Sequence, residues 1–497
     1  MKYLLGLDQG TSGTKAYLMD FDGNRAGLGY VPTELIRLRP DWIEQDPRAV
    51  AAGAAQAIQQ ALHTAKCAPP DVAAIGVASQ RGTDFVWDAH TGQPVVNAIT
   101  WQDLRTLPLI EELDQWEHAS ERRYRLGYFP GPWCASMHLA WRARYQPEFQ
   151  AVMHSAHTRI GMSASWLIAA LGKPSQHLHD YSLTQKTGLW DFRHNAYWVE
   201  WIDRLQLSPI GLPQPTPTLS AYGTLHISNG TQSAEVPVVA MIGDQQAALF
   251  GHGCRQAGHA ECTHGTASFV NVVTGDTAPE LDNITVYHAW SLPNHTYCLE
   301  ADTTVTGAAV RWMLQRGHWF ESEAQLDALA ESVTDAGGVI VVPAFTGLNV
   351  PYNDHAARAT ILGLALGNDR AHVARAFLDS IGFQLRAILE TIHDRTGLAV
   401  EQLSVGGGLS NSDIACQIQA DQLGIPLVRP SENETTGRGA ALLAGLGCGV
   451  WQSISDLPPL PEGSTRFEPR LSTDQRDHAF ARWQRAVRHV RELGNSL

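Results

Sequence analysis

The polar stretch Asp8–Lys15 (DQGTSGTK) lies between two apolar runs near the start of the chain. Its glycines allow backbone N–H groups to face inward, and Thr11 and Ser12 add hydroxyl donors, a combination that suits phosphate oxygens. Asp8 is at the end of the first predicted strand, where a carboxylate can hold Mg²⁺ through water. The alternative interpretation is a plain glycine-rich β-turn.

A second candidate is Asp244, which follows the apolar run 238–242 and Gly243 and precedes an alanine-rich segment. An Asp at such a position is most often a helix N-cap. At a rigid strand end it can instead be a general base toward an incoming hydroxyl. Phosphoryl transfer needs in-line positioning, Mg²⁺ and an acceptor for the substrate proton. Asp8 and Asp244 together favour an enzyme over a nucleotide-binding sensor, because a sensor needs no base.

Two later segments repeat parts of this pattern. His264-Gly265-Thr266 is a Gly-Thr turn between apolar runs, about 255 residues after the first one. The repeated order of strand, turn and strand predicts two related domains. The glycines at 406–408 and at 437–439 suit close approach of an adenosine, although glycines are also common where backbones pack closely.

Strands and helices around these residues are predicted from hydrophobic periodicity and turn residues. The segment 205–236 is rich in Pro, Gly, Ser and Thr and is expected to be irregular or to contain short strands. The closing helix is amphipathic and is expected to pack on the second domain. The predicted strands are 3–7, 16–19, 72–78, 238–242, 261–263, 269–273 and 403–405, and the predicted helices are 46–65, 413–423 and 473–492.

The chain has 497 residues, which exceeds the size at which one hydrophobic core stops growing. We place a division near residue 247, which gives domains 1–247 and 248–497. The formal charge of −14 lacks the positive surface that nucleic acid or an anionic membrane requires. Seven scattered cysteines without CxxC spacing predict reduced thiols in a cytoplasmic protein. We find no apolar run of about 18 residues and therefore expect no membrane span.

These motifs, in this order, resemble the FGGY carbohydrate kinases nearly from end to end. The resemblance implies an α/β fold of the actin/hexokinase type (ribonuclease H-like), with two related domains and an interdomain cleft. It further implies ATP- and Mg²⁺-dependent phosphorylation of a hydroxyl of a small polyol or sugar, by a chain that forms a homo-oligomer. The segments that carry it are 8–12, 243–251, 264–266, 351–352, 356–359, 363–364, 378–380 and 437–441.

The resemblance also implies roles for individual residues. Asp244 matches the catalytic base, and Asp8 keeps the metal-binding role argued above. The implied nucleotide-binding residues are Thr11, Ser12, Gly13, Lys15, Thr266, Gly307, Arg311, Gly408 and Ser412. The implied substrate-binding residues are Arg81, Gly82, Trp101, Asp103, Trp133, Asp244, Gln245 and Phe269.

The acceptor residues depart from those of glycerol kinases, the branch of the family with the most shared motifs. Glycerol kinases have Glu where this chain has Gly82, and Tyr where it has Trp133. Loss of a charged hydrogen-bond partner costs about 1.5–3 kcal/mol. Gly82 is expected to leave extra room, so either the acceptor is not glycerol or a carboxylate such as Asp103 or Asp84 replaces the missing one.

Two alternatives to a glycerol kinase-like enzyme stay open. Trp101-Gln102-Asp103-Leu104-Arg105 fits a W-x-D-x-R pattern of xylulokinase-like members, which favours a ketose or a longer polyol as acceptor. An alternative of another class is a non-catalytic nucleotide sensor with an actin-like fold. Release of ADP with one acceptor and not with others would distinguish all three.

Overall fold

The computed structural model describes residues 2–494, which divide into two units. Unit 1 contains the described residues up to Gly253, together with Tyr287–Tyr297 and Glu434–Pro459. Unit 2 contains Cys254–Val286, Cys298–Asn433 and the described residues from Leu460 onward. The chain therefore returns to unit 1 twice, a feature that a single division near residue 247 does not include.

Both units contain strands and helices, and their bounds follow in chain order. The strands are β1 Tyr3–Gln9, β2 Gly13–Asp20, β3 Arg25–Pro32, β4 Ile36–Arg39, β5 Trp42–Gln45, β6 Val72–Ser79, β7 Phe85–Asp88, β8 Gln93–Pro94, β9 Ala98–Ile99, β10 Thr158–Gly161, β11 Gly172–Pro174, β12 Leu178–Asp180, β13 Trp190–Asp191, β14 Ala196–Tyr197, β15 Gln214–Thr216, β16 Leu219–Ser228, β17 Ser233–Gly243, β18 Ala260–His264, β19 Ser268–Gly275, β20 Thr285–Ser291, β21 His295–Asp302, β22 Ile340–Val342, β23 Thr360–Leu362, β24 Leu403–Gly407, β25 Leu427–Arg429 and β26 Thr465–Phe467. The helices are α1 Pro47–Thr64, α2 Leu107–Leu113, α3 Glu121–Leu126, α4 Ala135–Tyr145, α5 Pro147–Met153, α6 Ser163–Leu171, α7 Tyr181–Lys186, α8 Val199–Arg204, α9 Asp244–Gly251, α10 Gly307–Gln315, α11 Glu323–Glu331, α12 Arg370–Thr396, α13 Asp413–Leu423, α14 Thr435–Gly447 and α15 Thr473–Gly494.

The main sheet of unit 1 has the strand order β11-β16-β17-β6-β1-β2-β3. Strand β1 pairs antiparallel with β2 and parallel with β6, and β6 pairs parallel with β17. The register places Gln9 beside Ser79 and Ser79 beside Gly243. Three parallel strands therefore end at the same edge, which is where ligands bind in open α/β sheets.

The second seven-stranded sheet has the order β20-β21-β19-β18-β24-β25-β26. Strand β18 pairs antiparallel with β19 and parallel with β24, and β24 pairs parallel with β25. The same succession of one antiparallel and two parallel pairings occurs from β2 to β17 in the first sheet. This repeat confirms the predicted pair of related α/β domains.

Two helices cover the first sheet, and the alternation of β1 side chains explains how. Leu5 and Leu7 join the hydrophobic core with residues of α1 such as Val50. Gly6, between them, faces α14, where a Cβ atom would lie 1.9 Å from the Gly437 carbonyl oxygen. Successive side chains of a strand point to opposite faces, so α1 and α14 pack on opposite faces of the sheet.

Most predicted elements are confirmed, one segment is more regular than expected, and one open alternative is decided. The segment 205–236 contains the long strand β16 and the start of β17, because apolar residues such as Leu225 and Ile227 alternate with polar ones. The glycines at 437–439 lie inside α14 and pack on α9 and β2, so their role is packing rather than a turn beside adenosine. Among residues 2–494, no helix is both long and apolar enough to cross a membrane.

Candidate active site

The site in unit 1 starts from the three parallel strands that end together. Asp8 is the penultimate residue of β1, Arg81 follows β6, and Asp244 follows β17. Arg81 Nε lies 3.3 Å from Asp244 Oδ1, and the two side chains are 9% and 25% exposed. This ion pair is thus enclosed by protein on the Arg81 side and reachable by solvent on the Asp244 side.

Asp244 is the first residue of α9, and Gly243 occupies the N-cap position. The N-cap interpretation of Asp244 is therefore wrong. Its Oδ1 accepts a hydrogen bond of 2.8 Å from the N–H of Gln245, in addition to the contact with Arg81. A carboxylate held by a backbone amide and a guanidinium has a defined orientation, which a general base requires.

Asp8 is held in an environment that disfavours its charge. Burial raises the pKa of Asp8 to about 7, and the negative charge of Asp244 contributes in the same direction. Lys15 lowers this pKa, and Glu434 raises it. Two carboxylates whose charges repel each other favour binding of a cation, because a cation relieves their repulsion.

The hairpin between β1 and β2, residues 10–12, is positioned by buried amides that the sequence interpretation missed. The backbone carbonyl of Thr11 accepts a hydrogen bond from Gln45 Nε2 at 2.8 Å. The side-chain hydroxyl of Thr11 donates to Gln80 Oε1 at 3.2 Å. Gln80 Nε2 in turn donates to Gln9 and Gln45, both at 2.9 Å. All three amides are at most 1% exposed. Their mutual bonds keep the hairpin in one conformation before any ligand binds.

Trp101 connects the hairpin to the predicted substrate-binding residues. Its indole N–H donates to the hydroxyl of Thr11 at 2.6 Å, although the residue is 40% exposed. Ser12 is exposed at the tip, and Gly10 N–H bonds to the Gly13 carbonyl at 3.0 Å across the hairpin. The structure therefore brings Thr11, Ser12, Gly13 and Trp101 together.

Lys15, predicted to contact phosphates, has a partner from a distant part of the sequence. Its Nζ lies 2.6 Å from Oε2 of Glu434, the residue that precedes α14. The two residues are 419 positions apart, and no local signal indicates their contact. Any phosphate that Lys15 binds has to compete with this carboxylate.

Gly82 does not leave the extra room expected from its lack of a side chain. Its φ is +79°, and a Cβ atom there would lie 2.1 Å from the Trp133 carbonyl oxygen. The space beside Gly82 is thus filled by backbone. Trp133 is 46% exposed, and Trp101 is also close, with its Cβ 3.4 Å from the same Cβ position on Gly82. Two accessible indoles flank this glycine, and Gln245 is half-buried after Asp244.

The carboxylates considered as replacements for the missing Glu are both engaged elsewhere. Asp103 is fully buried and accepts from Arg105 at 2.8 and 2.9 Å and from the Ile43 N–H at 2.6 Å. Asp84 is also fully buried, accepts from the Ile99 N–H at 3.0 Å, and lies 3.2 Å from His138 Nδ1. Their positions count against direct contact with an acceptor.

In unit 2, three predicted nucleotide-binding residues come together. The Gly307 N–H, at the start of α10, bonds to the Gly265 carbonyl at 3.1 Å, and a Cβ on Gly307 would lie 2.5 Å from that oxygen. Arg311 Nη2 lies 3.5 Å from the Thr266 hydroxyl. The hairpin between β18 and β19 is therefore packed against the start of α10, and Thr266 in this hairpin is exposed.

The remaining unit 2 candidates differ in what their surroundings allow. Gly408 follows β24, whose Gly407 pairs with His264, and no atom lies within 4 Å of a Cβ placed on Gly408. Its backbone is open to a ligand. Ser412 is the N-cap of α13 and accepts from the Ala415 N–H at 3.1 Å, so its hydroxyl already has a structural role. Phe269 is half-buried on β19.

Comparison with known proteins agrees with this geometry. The model of the N-terminal domain of the FGGY family of carbohydrate kinases matches residues 3–251, and that of its C-terminal domain matches residues 260–448. The glycerol kinase of Symbiobacterium thermophilum is 37% identical over 491 residues, 98% of each chain.

Among solved structures, Plasmodium falciparum glycerol kinase with ADP has a TM-score of 0.91 at 25% identity and covers 99% of this chain and 98% of its own. A xylulose kinase from Rhodospirillum rubrum has a TM-score of 0.87 at 21% identity, and the match covers 99% of this chain and 100% of that kinase. At that identity the second likeness concerns the fold alone. All three relatives extend over nearly the whole chain.

Proposed function

This chain belongs to the FGGY family of carbohydrate kinases, and from that premise we propose that Asp244 is the base with which it phosphorylates a small polyol or ketose from ATP. The observation that carries the proposal is the contact between Arg81 and Asp244, 3.3 Å, at the shared end of three parallel strands. Asp244 receives the proton of the acceptor hydroxyl, and Arg81 and the Gln245 N–H keep its carboxylate oriented. General-base catalysis of this kind contributes about 10²–10⁴-fold to a rate.

Asp8 is the residue that would hold Mg²⁺, directly or through water. Its surroundings fit a cation, because the pKa of Asp8 is raised to about 7 by burial and by the charge of Asp244. In the described part of the chain, no group of three or more His, Cys, Asp or Glu residues forms a metal cage. Mg²⁺ in kinases commonly has only one or two protein carboxylates, with waters and phosphates as its other ligands. When bound, the ion neutralises charge on the β- and γ-phosphates.

We propose that residues of both units bind the nucleotide, and the support for each unit stands by itself. In unit 1 they rest on the hairpin that the buried amides hold and on Lys15. In unit 2 they rest on Thr266, Gly307 and Arg311, which the structure groups, and on the open backbone at Gly408. The Ser412 hydroxyl caps α13, so a nucleotide contact there has to share this oxygen with the Ala415 N–H.

Glycerol is the first acceptor to test, because the 37% identical relative is a glycerol kinase. A ketose or a longer polyol is the second candidate. It is favoured by the absence of a carboxylate at Gly82 and by the two accessible indoles of Trp101 and Trp133, whose faces suit the C–H surface of a longer carbon chain. Rates with each acceptor in turn distinguish the two candidates.

The decisive measurement is ADP release with ATP and a panel of glycerol, erythritol, ribulose and xylulose. We expect turnover above the basal ATPase rate with at least one of them. Asp244→Asn is expected to lower kcat about 10²–10⁴-fold while the Kd for ATP changes less than about twofold. Asp46→Asn is the matched control, because Asn also caps α1 and the residue lies outside the site. Unchanged kcat in Asp244→Asn would remove Asp244 from the mechanism.

We also propose a cytoplasmic homo-oligomer. All seven cysteines are free thiols, and six of them are buried, which suits a reducing compartment. The oligomeric state follows from the family resemblance alone. Light scattering at micromolar concentration measures it, and a mass of one chain, 54.2 kDa, would contradict it.

A further inference from the structure

A buried lysine lies behind the Arg81–Asp244 pair. Lys186, the last residue of α7, is 6% exposed, and its Nζ donates to the hydroxyl of Tyr287 at 2.9 Å. The ammonium also lies 4.9 Å from the ring centroid of Tyr128 and 4.7 Å from that of Tyr287. Burial of an ammonium group is costly without polar or π partners, so these tyrosines form a site built for this charge.

Tyr287 links this lysine to the candidate active site. Tyr287 is 3% exposed, and the guanidinium carbon of Arg81 lies 5.2 Å from its ring centroid. Arg81 is thus held between an aromatic ring on one side and the carboxylate of Asp244 on another. A planar guanidinium that interacts with a ring has fewer orientations than one in solvent.

Helix α7 also holds the backbone before Asp244. The Ser182 hydroxyl accepts from the Gly243 N–H at 2.9 Å and donates to Asp180, the N-cap of α7. Gln185 Oε1 accepts from the His288 N–H at 2.8 Å, which fixes the strand just after Tyr287. One short helix therefore positions both the strand that presents Asp244 and the strand that presents Tyr287.

We propose that Tyr287 and Lys186 are positioning residues for phosphoryl transfer. Tyr287 holds the guanidinium of Arg81 in the orientation that engages Asp244, and the bond from Lys186 keeps the Tyr287 ring in place. Neither residue contacts the reacting atoms in this scheme. The inference rests on the proposed roles of Arg81 and Asp244, and it adds two residues that sequence motifs do not indicate.

The test is a double-mutant cycle of Tyr287→Leu with Arg81→Lys, measured as kcat/KM for the acceptor. We expect Tyr287→Leu to lower kcat/KM at least 10-fold with the KM for ATP changed less than about twofold. In the Arg81→Lys background, Tyr287→Leu is expected to lower kcat/KM for the acceptor by no more than about twofold, because Tyr287 acts through Arg81. Equal losses in both backgrounds would overturn the proposal.

Two further variants separate positioning from general damage. Tyr222→Leu removes another buried tyrosine of unit 1, and its loss is expected to be the same in both backgrounds. If circular dichroism shows Tyr287→Leu to be unfolded, Tyr287→Phe and Lys186→Met take its place in the cycle, with the same non-additivity expected and additivity again overturning the proposal. Asp244→Asn distinguishes failure of the proposed function from failure of the positioning roles. Full activity of this variant would refute the proposed role of Asp244 as the base. An inactive Asp244→Asn together with an additive cycle would refute only the positioning roles of Tyr287 and Lys186.

Discussion

Gly82 directly follows Arg81 and has a left-handed backbone with φ +79°. A side chain at position 82 would destabilise the fold for two separate reasons. Left-handed backbone costs a non-glycine residue about 1–2 kcal/mol, and the Trp133 carbonyl oxygen, 2.1 Å from the Cβ position, has to move. The backbone around Gly82 thus couples the position of Arg81 to that of the Trp133 segment.

We predict that Gly82→Ala lowers the free energy of unfolding and raises the KM for the acceptor, since Trp133 is displaced. Gly92→Ala is the matched control: its φ is +67°, but no atom lies within 4 Å of its Cβ position. It should lose only the backbone contribution, about 1–2 kcal/mol, and keep its KM. Urea unfolding and initial rates measure both. Equal losses of stability in the two variants would show that the Trp133 contact costs nothing.

Helix α14 lies against β1, β2 and α9 at distances that only glycine allows. A Cβ on Gly439 would lie 1.9 Å from the Ala247 carbonyl oxygen, and one on Gly437 would lie 2.7 Å from the Tyr17 Cβ. Since α9 begins with Asp244, this packing also determines where the candidate base stands. A helix interior normally disfavours glycine by about 1 kcal/mol relative to Ala, so close packing here offsets that cost.

Gly439→Ala is therefore expected to destabilise the protein by about 1–3 kcal/mol or more, as overpacked core substitutions do. Gly53→Ala is its control within the same unit. Gly53 is inside α1, and a Cβ there would make an ordinary contact of 3.5 Å with Val31. That substitution should stabilise by about 0.5–1 kcal/mol. Urea midpoints that move in the same direction for both would contradict the packing argument.

Across the whole molecule, burial keeps several histidines neutral. Burial lowers the pKa to about 4 in His177, His252 and His264. It lowers the pKa to about 3 in His179 and His288. Burial acts in the opposite direction on Asp8 and Asp180, whose pKa values are raised to about 7.

The free energy of unfolding is expected to fall as the pH falls from 7 to 5. In this range the unfolded chain gains protons on histidines of pKa about 6.5, whereas the folded protein keeps five of them neutral and gains protons on the two carboxyl groups. The excess of protons on the unfolded state is therefore close to zero at pH 7 and rises to about three at pH 5, and each excess proton lowers the stability by about 1.4 kcal/mol per pH unit. Urea unfolding of the nucleotide-free protein at both pH values measures this.

A pair of variants tests the cause of that pH dependence. His264→Gln removes one buried histidine and should make the dependence less steep, whereas His489→Gln removes one whose side chain is 73% exposed and should leave it unchanged. Stability that stays constant or rises from pH 7 to pH 5 would show that the buried carboxyl groups dominate instead.

Local signals account for the parts of the structure that could be predicted. Helix α1 follows from its alanine-rich periodicity and from the capping side chain of Asp46, which accepts from the Arg48 N–H at 2.9 Å. Helix α13 begins after its cap Ser412 and ends just before Gly424, whose φ is +71°. Each of these features depends on residues within one or two turns, so the sequence contains them directly.

Contacts between distant residues could not be predicted. Lys15 meets Glu434 across 419 positions, and Lys186 meets Tyr287 across 101. The carbonyl that fills the space beside Gly82 belongs to Trp133, in a loop much later in the chain. No periodicity or cap refers to such partners, because they depend on strand register and on how helices pack on the sheet.

By itself, the amino-acid sequence determined the family, the repeated α/β architecture and the placement of Asp8 and Asp244 at strand ends. Motif order and hydrophobic periodicity are properties of neighbouring residues, so they survive without a structure. Only the tertiary structure decided that Arg81 and Asp244 are 3.3 Å apart, and that Tyr287 and Lys186 lie behind them. The reason is physical: the pairing of β1, β6 and β17 and the packing of α7 bring together side chains that the chain itself keeps far apart.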